Sequence, residues 1–144
     1  MKKQFIAICF AVTALALSSC TQELVLKRVE IPGNIKVYLT SHFPNQTIVQ
    51  AIKNIGIVEI TYEVILNDMT KLQFNQKNEI IDIDAISMLP NSVIPEKLLA
   101  YVNSNYPSSV ITAWQLEDKQ QGVKLDDGLE LKFMINGEFI SVEN

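Results

Sequence analysis

Residues 32–52, PGNIKVYLTSHFPNQTIVQAI, return at residues 95–115 as PEKLLAYVNSNYPSSVITAWQ. Pro32/Pro95, Tyr38/Tyr101, Ser41/Ser104, Pro44/Pro107 and Ile48/Ile111 are identical at one constant offset. Further on, LNDMTKLQF at 66–74 returns as LDDGLELKF at 125–133, and Glu79-Ile80-Ile81 as Glu138-Phe139-Ile140, at an offset four residues shorter. Self-similarity of this kind points to one supersecondary unit used twice. The shared positions are prolines, turn formers and apolar residues, with no reactive group among them, so the repetition speaks to architecture rather than chemistry.

Each copy opens as a helix. Proline at 32 or 95 suits a first-turn position, where its missing N–H would be unpaired in any case, and Glu96 adds a favourable charge near the positive end. Ile35, Leu39 and Phe43, with Tyr38 beside them, fall at helical spacing, as do Leu98, Val102 and Tyr106 with Tyr101. Pro44 and Pro107 disfavour helical geometry in the residue before them and end the helix.

The turns that follow predict strand register. Asn136-Gly137, taken as a two-residue loop, sets Phe133 opposite Ile140 and Leu131 opposite Val142. A turn at Lys77-Asn78 likewise pairs Phe74 with Ile81 and Leu72 with Ile83. The preceding hairpins read as three-residue loops whose last residue is left-handed: Asp126-Asp127-Gly128 sets Leu125 against Leu129 and Val123 against Leu131. Asn67-Asp68-Met69 does the same for Leu66/Thr70, Val64/Leu72 and Tyr62/Phe74. With Ile48 to Asn54 and Ile111 to Asp118 as opening strands, the expected fold is α+β: two tandem repeats, each one helix followed by a four-stranded antiparallel meander sheet, covered on one face and polar on the other. On the polar face of the second sheet this register puts Met134 opposite Phe139, with Trp114 on a nearby strand. Two uses are open for this group: packing between the copies, or contact with an external protein.

The N-terminus reads as an address. Lys2 and Lys3 precede an apolar run, Phe5 to Leu17, too short to span a bilayer comfortably, which makes residues 1–19 a secretory signal. The junction Leu17-Ser18-Ser19-Cys20 resembles the bacterial lipobox, so Cys20 is the expected lipidation site and residues 20–30 a lipid-anchored tether, with Leu24, Leu26 and Val29 apolar enough to add a strand to a sheet edge. Repeat 1 then covers residues 31–86 and repeat 2 residues 87–144, separated at Ser87 to Ser92 by a proline and turn formers. Each alone would be marginal in size, so the two should pack together. Cys9 leaves with the signal, and no thiol remains for a disulfide or a nucleophile. The signal also removes two of the 12 basic residues, leaving 10 against 16 acidic ones and moving the net charge from −4 to −6. That balance argues against nucleic acid as a partner.

Candidate chemistry is sparse. His42 is the single histidine, at a helix end where a partial positive charge is favoured, and neither a metal cluster nor a nucleophile triad can be assembled around it from sequence neighbours. Glu59 with Glu63, and Asp82 with Asp84, could pair on a strand face, but nothing nearby would bury them, and the second copy has neither pair. Asp126-Asp127-Gly128 reads as a turn, since further oxygen ligands at calcium-loop spacing are missing. No catalytic residue, metal or cofactor is expected.

The helix ending in Phe-Pro or Tyr-Pro, the Ile-led strand, the Asp-Gly-type turn and the terminal Asn136-Gly137-Glu138 together resemble the PepSY-like domain proteins across residues 31–144. That family's fold is likened to the beta-lactamase inhibitor protein. Met69 and Leu129 depart from the family pattern, which has glycine and threonine at those places. The resemblance implies a non-enzymatic lipoprotein of the bacterial envelope, expected in the outer membrane, that binds a protein and is inhibitor-like toward a secreted hydrolase or peptidase. The alternative is a structural or chaperone-like component of an envelope complex.

Overall fold

The computed structural model describes residues 21–143; the expected signal, Cys20 and Asn144 lie outside that range. Strand β1 (Gln22–Val25) comes first, then helix α1 (Gly33–His42) and strands β2 (Ile48–Ile55), β3 (Ile60–Leu66), β4 (Lys71–Phe74) and β5 (Ile80–Asp84). Helix α2 (Glu96–Asn105) precedes β6 (Ile111–Leu116), β7 (Gln120–Leu125), β8 (Glu130–Met134) and β9 (Phe139–Glu143). Single 3₁₀ turns at Arg28–Glu30 and Asn91–Val93 lead into the helices.

All nine strands form one antiparallel sheet in chain order. The expectation of two repeats, each a helix on its own four-stranded sheet, is therefore overturned. The seam is a strand pair: β5 joins β6 through Asp82↔Gln115, Ile83↔Trp114 and Asp84↔Ala113. Two separate sheets would have left both of these edges with unpaired N–H and C=O groups, and pairing them removes the liability. At the other end β1, from the expected tether, covers β2, with Gln22 opposite Ile55 and Val25 opposite Ile52.

The helices are set as their sequences dictate, with small corrections. Pro32 and Pro95 stand one residue before the first turn, as N-caps. Phe43 and Tyr106 leave helical geometry ahead of Pro44 and Pro107, and their N–H groups donate to Leu39 O at 2.8 Å and Val102 O at 2.7 Å. Both helices lie on the same face of the sheet. Tyr38 meets Phe74 edge-on with centroids 5.5 Å apart, and Tyr101 meets Phe133 in the same way at 5.3 Å. Beneath them one register row runs across the sheet through Ala51, Val64, Leu72, Ile83, Trp114, Val123, Leu131 and Val142. Every residue of that row but Val142 is buried. At about 1.5–3 kcal/mol for each fully buried large side chain, such a row outweighs any helix propensity in stabilising this arrangement.

Four hairpins, β3–β4, β4–β5, β7–β8 and β8–β9, use one turn. Each is a three-residue loop closed by two backbone hydrogen bonds, as in Leu66 N–H to Thr70 O (2.9 Å) with Met69 N–H to Leu66 O (3.0 Å). The last loop residue is left-handed in every case: Met69 at φ 69°, Asn78 at 64°, Gly128 at 91° and Gly137 at 89°. The register expected for β3–β4 and β7–β8 is the one observed. For β4–β5 and β8–β9 it is not. Asn75 N–H donates to Glu79 O and Met134 N–H to Glu138 O, so Gln76 and Ile135 belong to the loops. The extra loop residue displaces the register by one, and a bulge restores it two pairs later: Phe74 pairs with Ile80 and Phe133 with Phe139, while Leu72↔Ile83 and Leu131↔Val142 stand.

Candidate functional site: the open face of the sheet

Alternation along each strand sends every second side chain away from the helices. The middle of this outward face carries Asp82 and Asp84 on β5, Ala113 and Gln115 on β6, Gly122 and Lys124 on β7, and Glu130 and Lys132 on β8. Across the strands they form two rows, Asp82–Gln115–Gly122–Lys132 and Asp84–Ala113–Lys124–Glu130. Gly122 and Ala113 are small, so the face sinks between them into a depression of about 230 Å³ with Asp82 and Asp84 on one wall and Lys124, Glu130 and Lys132 on the other. No helix covers it. A Cβ placed on Gly122 would come no nearer than 3.6 Å to Leu131 O and Lys132 Cδ, so the depression exists because a side chain is missing there, not because none could fit.

Electrostatics mark the same spot. Partial burial raises the Asp82 carboxyl above its usual 3.8, and the charge of Asp84 raises it further. The spacing therefore does bring two carboxylates together. They share an open sheet face with Lys124 and Lys132, and neither a histidine nor a cysteine lines the depression.

The residues singled out from sequence separate. Trp114 faces the helices and is buried, its indole N–H donating to Gln121 Oε1 at 3.2 Å, while the Gln121 amide donates on to Ile135 O at 3.2 Å. A bulge between Ile111 and Ala113 breaks the alternation that would have revealed its facing. Met134 is exposed on the outward face and pairs with Gln120, not with Phe139. Phe139, turned by the β8–β9 bulge, lies on the helix side against Tyr101 and Phe133. The three do not form one patch. What sequence reading missed is the depression itself, whose signal was two small residues, Ala113 and Gly122, next to a β5–β6 pairing that it did not anticipate.

Elsewhere the candidate groups serve the fold. His42 Nδ1 lies 2.9 Å from Ser92 Oγ, and its ring is 4.4 Å from that of Tyr38. Asp126 Oδ1 accepts from Val110 N–H at 3.0 Å and Asp127 Oδ1 from Leu129 N–H at 3.1 Å, so both acids of the Asp126-Asp127-Gly128 loop are used to shape the turn. Asn67 holds Thr47 N–H in the counterpart place at 2.7 Å. Glu59 lies in the β2–β3 turn and accepts from Gly56 N–H through its backbone. A second depression of about 480 Å³ opens between α1 and β2, floored by Leu39, Phe43, Ile48 and Leu66 and rimmed by Arg28 and Lys36. Among the described residues no group of three or more His, Cys, Asp or Glu is placed to hold a metal ion, and no helix is long and apolar enough to cross a membrane.

The fold is a continuous antiparallel sheet, covered by two helices on one side and open on the other. The chain belongs to the PepSY-like family, described as "Putative beta-lactamase-inhibitor-like, PepSY-like", which matches residues 19–82 and 60–141. Solved structures share the fold. One is a "putative periplasmic protein from DUF2874 family" of Bacteroides vulgatus, 24% identical over 85% of this chain and 98% of that one, with a TM-score of 0.81. Another is a "putative calcium-regulated periplasmic protein" of Bacteroides thetaiotaomicron, 24% identical over 85% of this chain and 97% of that one, also at 0.81. A third, a "putative periplasmic protein of unknown function" of Bacteroides vulgatus, is 24% identical over 85% and 100%, at 0.80.

Proposed function

We propose that this protein is an exported, non-enzymatic binding module of the cell envelope, lipid-anchored through Cys20, that takes a partner protein on the open face of its sheet. The observation that carries the reading is the depression over Gly122 and Ala113, walled by Asp82 and Asp84 on one side and by Lys124, Glu130 and Lys132 on the other. A side chain of the partner fills it, and its charge offsets the two crowded carboxylates. Family membership supports a protein partner, and the periplasmic descriptions of the three similar structures support export. The finer reading is inhibitor-like: the partner is a secreted hydrolase or peptidase.

Affinity capture from envelope extracts with wild type and with Gly122→Leu tests this. A Cβ at Gly122 meets its nearest backbone atom, Leu131 O, at an ordinary 3.6 Å, so a larger side chain can start into the depression from there. The proposal expects a discrete protein retained by wild type and lost with the variant, and its hydrolase activity suppressed by added wild-type protein. Equal recovery by both proteins would remove the open face from the account, and an active, uninhibited partner would remove the inhibitor role.

A further inference from the structure

The β2–β3 hairpin tip is unlike its counterpart. The turn from Gly56 to Glu59, closed by Gly56 N–H to Glu59 O at 2.9 Å, exposes Ile57 at 85% and Val58 at 94%. The corresponding β6–β7 turn, closed by Glu117 N–H to Gln120 O at 2.8 Å, carries Asp118 and Lys119 in the same two places. Two bare apolar residues at a turn tip gain nothing for folding, and a turn of the same form in this chain is built from charges.

The location of the tip supplies the occupant. Gln22 at the start of β1 pairs with Ile55, next to the turn, so the chain enters the described structure beside Ile57 and Val58. Cys20 is only two residues upstream of Gln22, and at about 3.5 Å per extended residue the chain lets the anchor lie no farther than about 7 Å from Gln22. Acyl chains on Cys20, as proposed above, would therefore hold the tip at a lipid surface.

We propose that Ile57 and Val58 enter the membrane interface alongside the lipid of Cys20, so that the domain is fixed at two points and stands with its strands rising from the bilayer. The contact rests on the lipid-anchor reading and is independent of what the open face binds. Glu59 and Asn54 flank the tip and stay in the headgroup layer, so the insertion is two residues deep. Two or three acyl chains make a stable anchor on their own, and the tip adds a further apolar contact to them. The tip also sets orientation, which an anchor on a flexible linker does not.

The mature chain has no free thiol once Cys20 is acylated, so single cysteines can report on the site. Lipidated Val58→Cys and Lys119→Cys proteins, each labelled with an environment-sensitive fluorophore, are bound to phosphatidylcholine vesicles with and without brominated acyl chains. Retention on vesicles is scored first, by flotation. The expected result is a blue shift and strong quenching for the label at 58 and neither at 119. An Ile57→Asp protein should still float while its label at 58 loses the quenching. Equal, water-like signals at 58 and 119 on floated protein overturn the tip contact while the anchor stands. A shift at 58 that appears only on adding envelope protein assigns the tip to a protein and overturns the contact as well. Failure to float removes anchor and tip contact together.

Discussion

The rings of Phe139 and Tyr101 lie nearly parallel, 12° apart with centroids 4.7 Å from one another. A one-residue bulge in β9 is the cause, since it turns Phe139 to the helix side where simple alternation would send it outward. Phe139→Ser should accordingly destabilise the protein by about 1–3 kcal/mol, less than the roughly 3–5 kcal/mol of a deep aromatic truncation because the ring stays partly exposed. Urea unfolding checks it. An unchanged midpoint would mean that the stack contributes nothing.

Met69 and Gly128 occupy matching left-handed positions, at φ 69° and 91°. A Cβ there costs roughly 1–2 kcal/mol, and glycine's unfolded-state entropy returns up to about 1 kcal/mol. The Met69 side chain is 57% exposed and so has little packing to lose. Met69→Gly should be neutral to modestly stabilising and Gly128→Met clearly destabilising, by thermal and denaturant unfolding. A loss above about 2 kcal/mol for Met69→Gly would show that its side chain holds the turn.

Those turns mark how far the sequence carries. Helix starts and stops were legible at Pro32, Pro44, Pro95 and Pro107, because proline acts locally. The Asp-Asp-Gly loop and its Asn-Asp-Met counterpart gave the correct register for the same reason. Asn136-Gly137 misled, since the pair fits both a two-residue loop and the last two places of a three-residue one, and only the bond from Met134 to Glu138 decides. That single residue sent Phe139 to the wrong face. The β5–β6 seam was illegible: Ile83 and Trp114 are joined by no turn, so nothing local sets their pairing. With the seam hidden, the depression that spans it was hidden too.

Burial pushes the Tyr38 phenol from 10.0 up to about 12. A raised phenol pKa means that the unfolded chain releases its proton first as pH climbs, so this contribution to stability is intact below 10 and is lost between 10 and about 12. Tyr38→Phe should flatten the fall in stability over that window, measured by denaturation at fixed pH values. An unaltered alkaline limb would place the titration elsewhere.

Asp82 reports on the open face through its raised carboxyl. Below 3.8 the acid is neutral folded or unfolded; as pH rises through its elevated folded value, ionising a partly buried carboxyl that also lies beside Asp84 costs stability, and that cost persists at neutral pH. Asp82→Asn should therefore melt higher than wild type at pH 7, with the gap closing toward acid, and should bind its partner less well. A lower melting temperature at pH 7 would mean that the carboxylate is favourably paired in the free protein.

The most direct test of the open face as the binding surface is a photoreactive amino acid placed in living cells at Gln115, beside the depression, and at Lys36, half-buried on α1 at the rim of the second depression. The account predicts a discrete crosslinked adduct from position 115, absent from position 36 and abolished when Gly122→Leu is added. An adduct from position 36 alone, or one from 115 that survives Gly122→Leu, would contradict it.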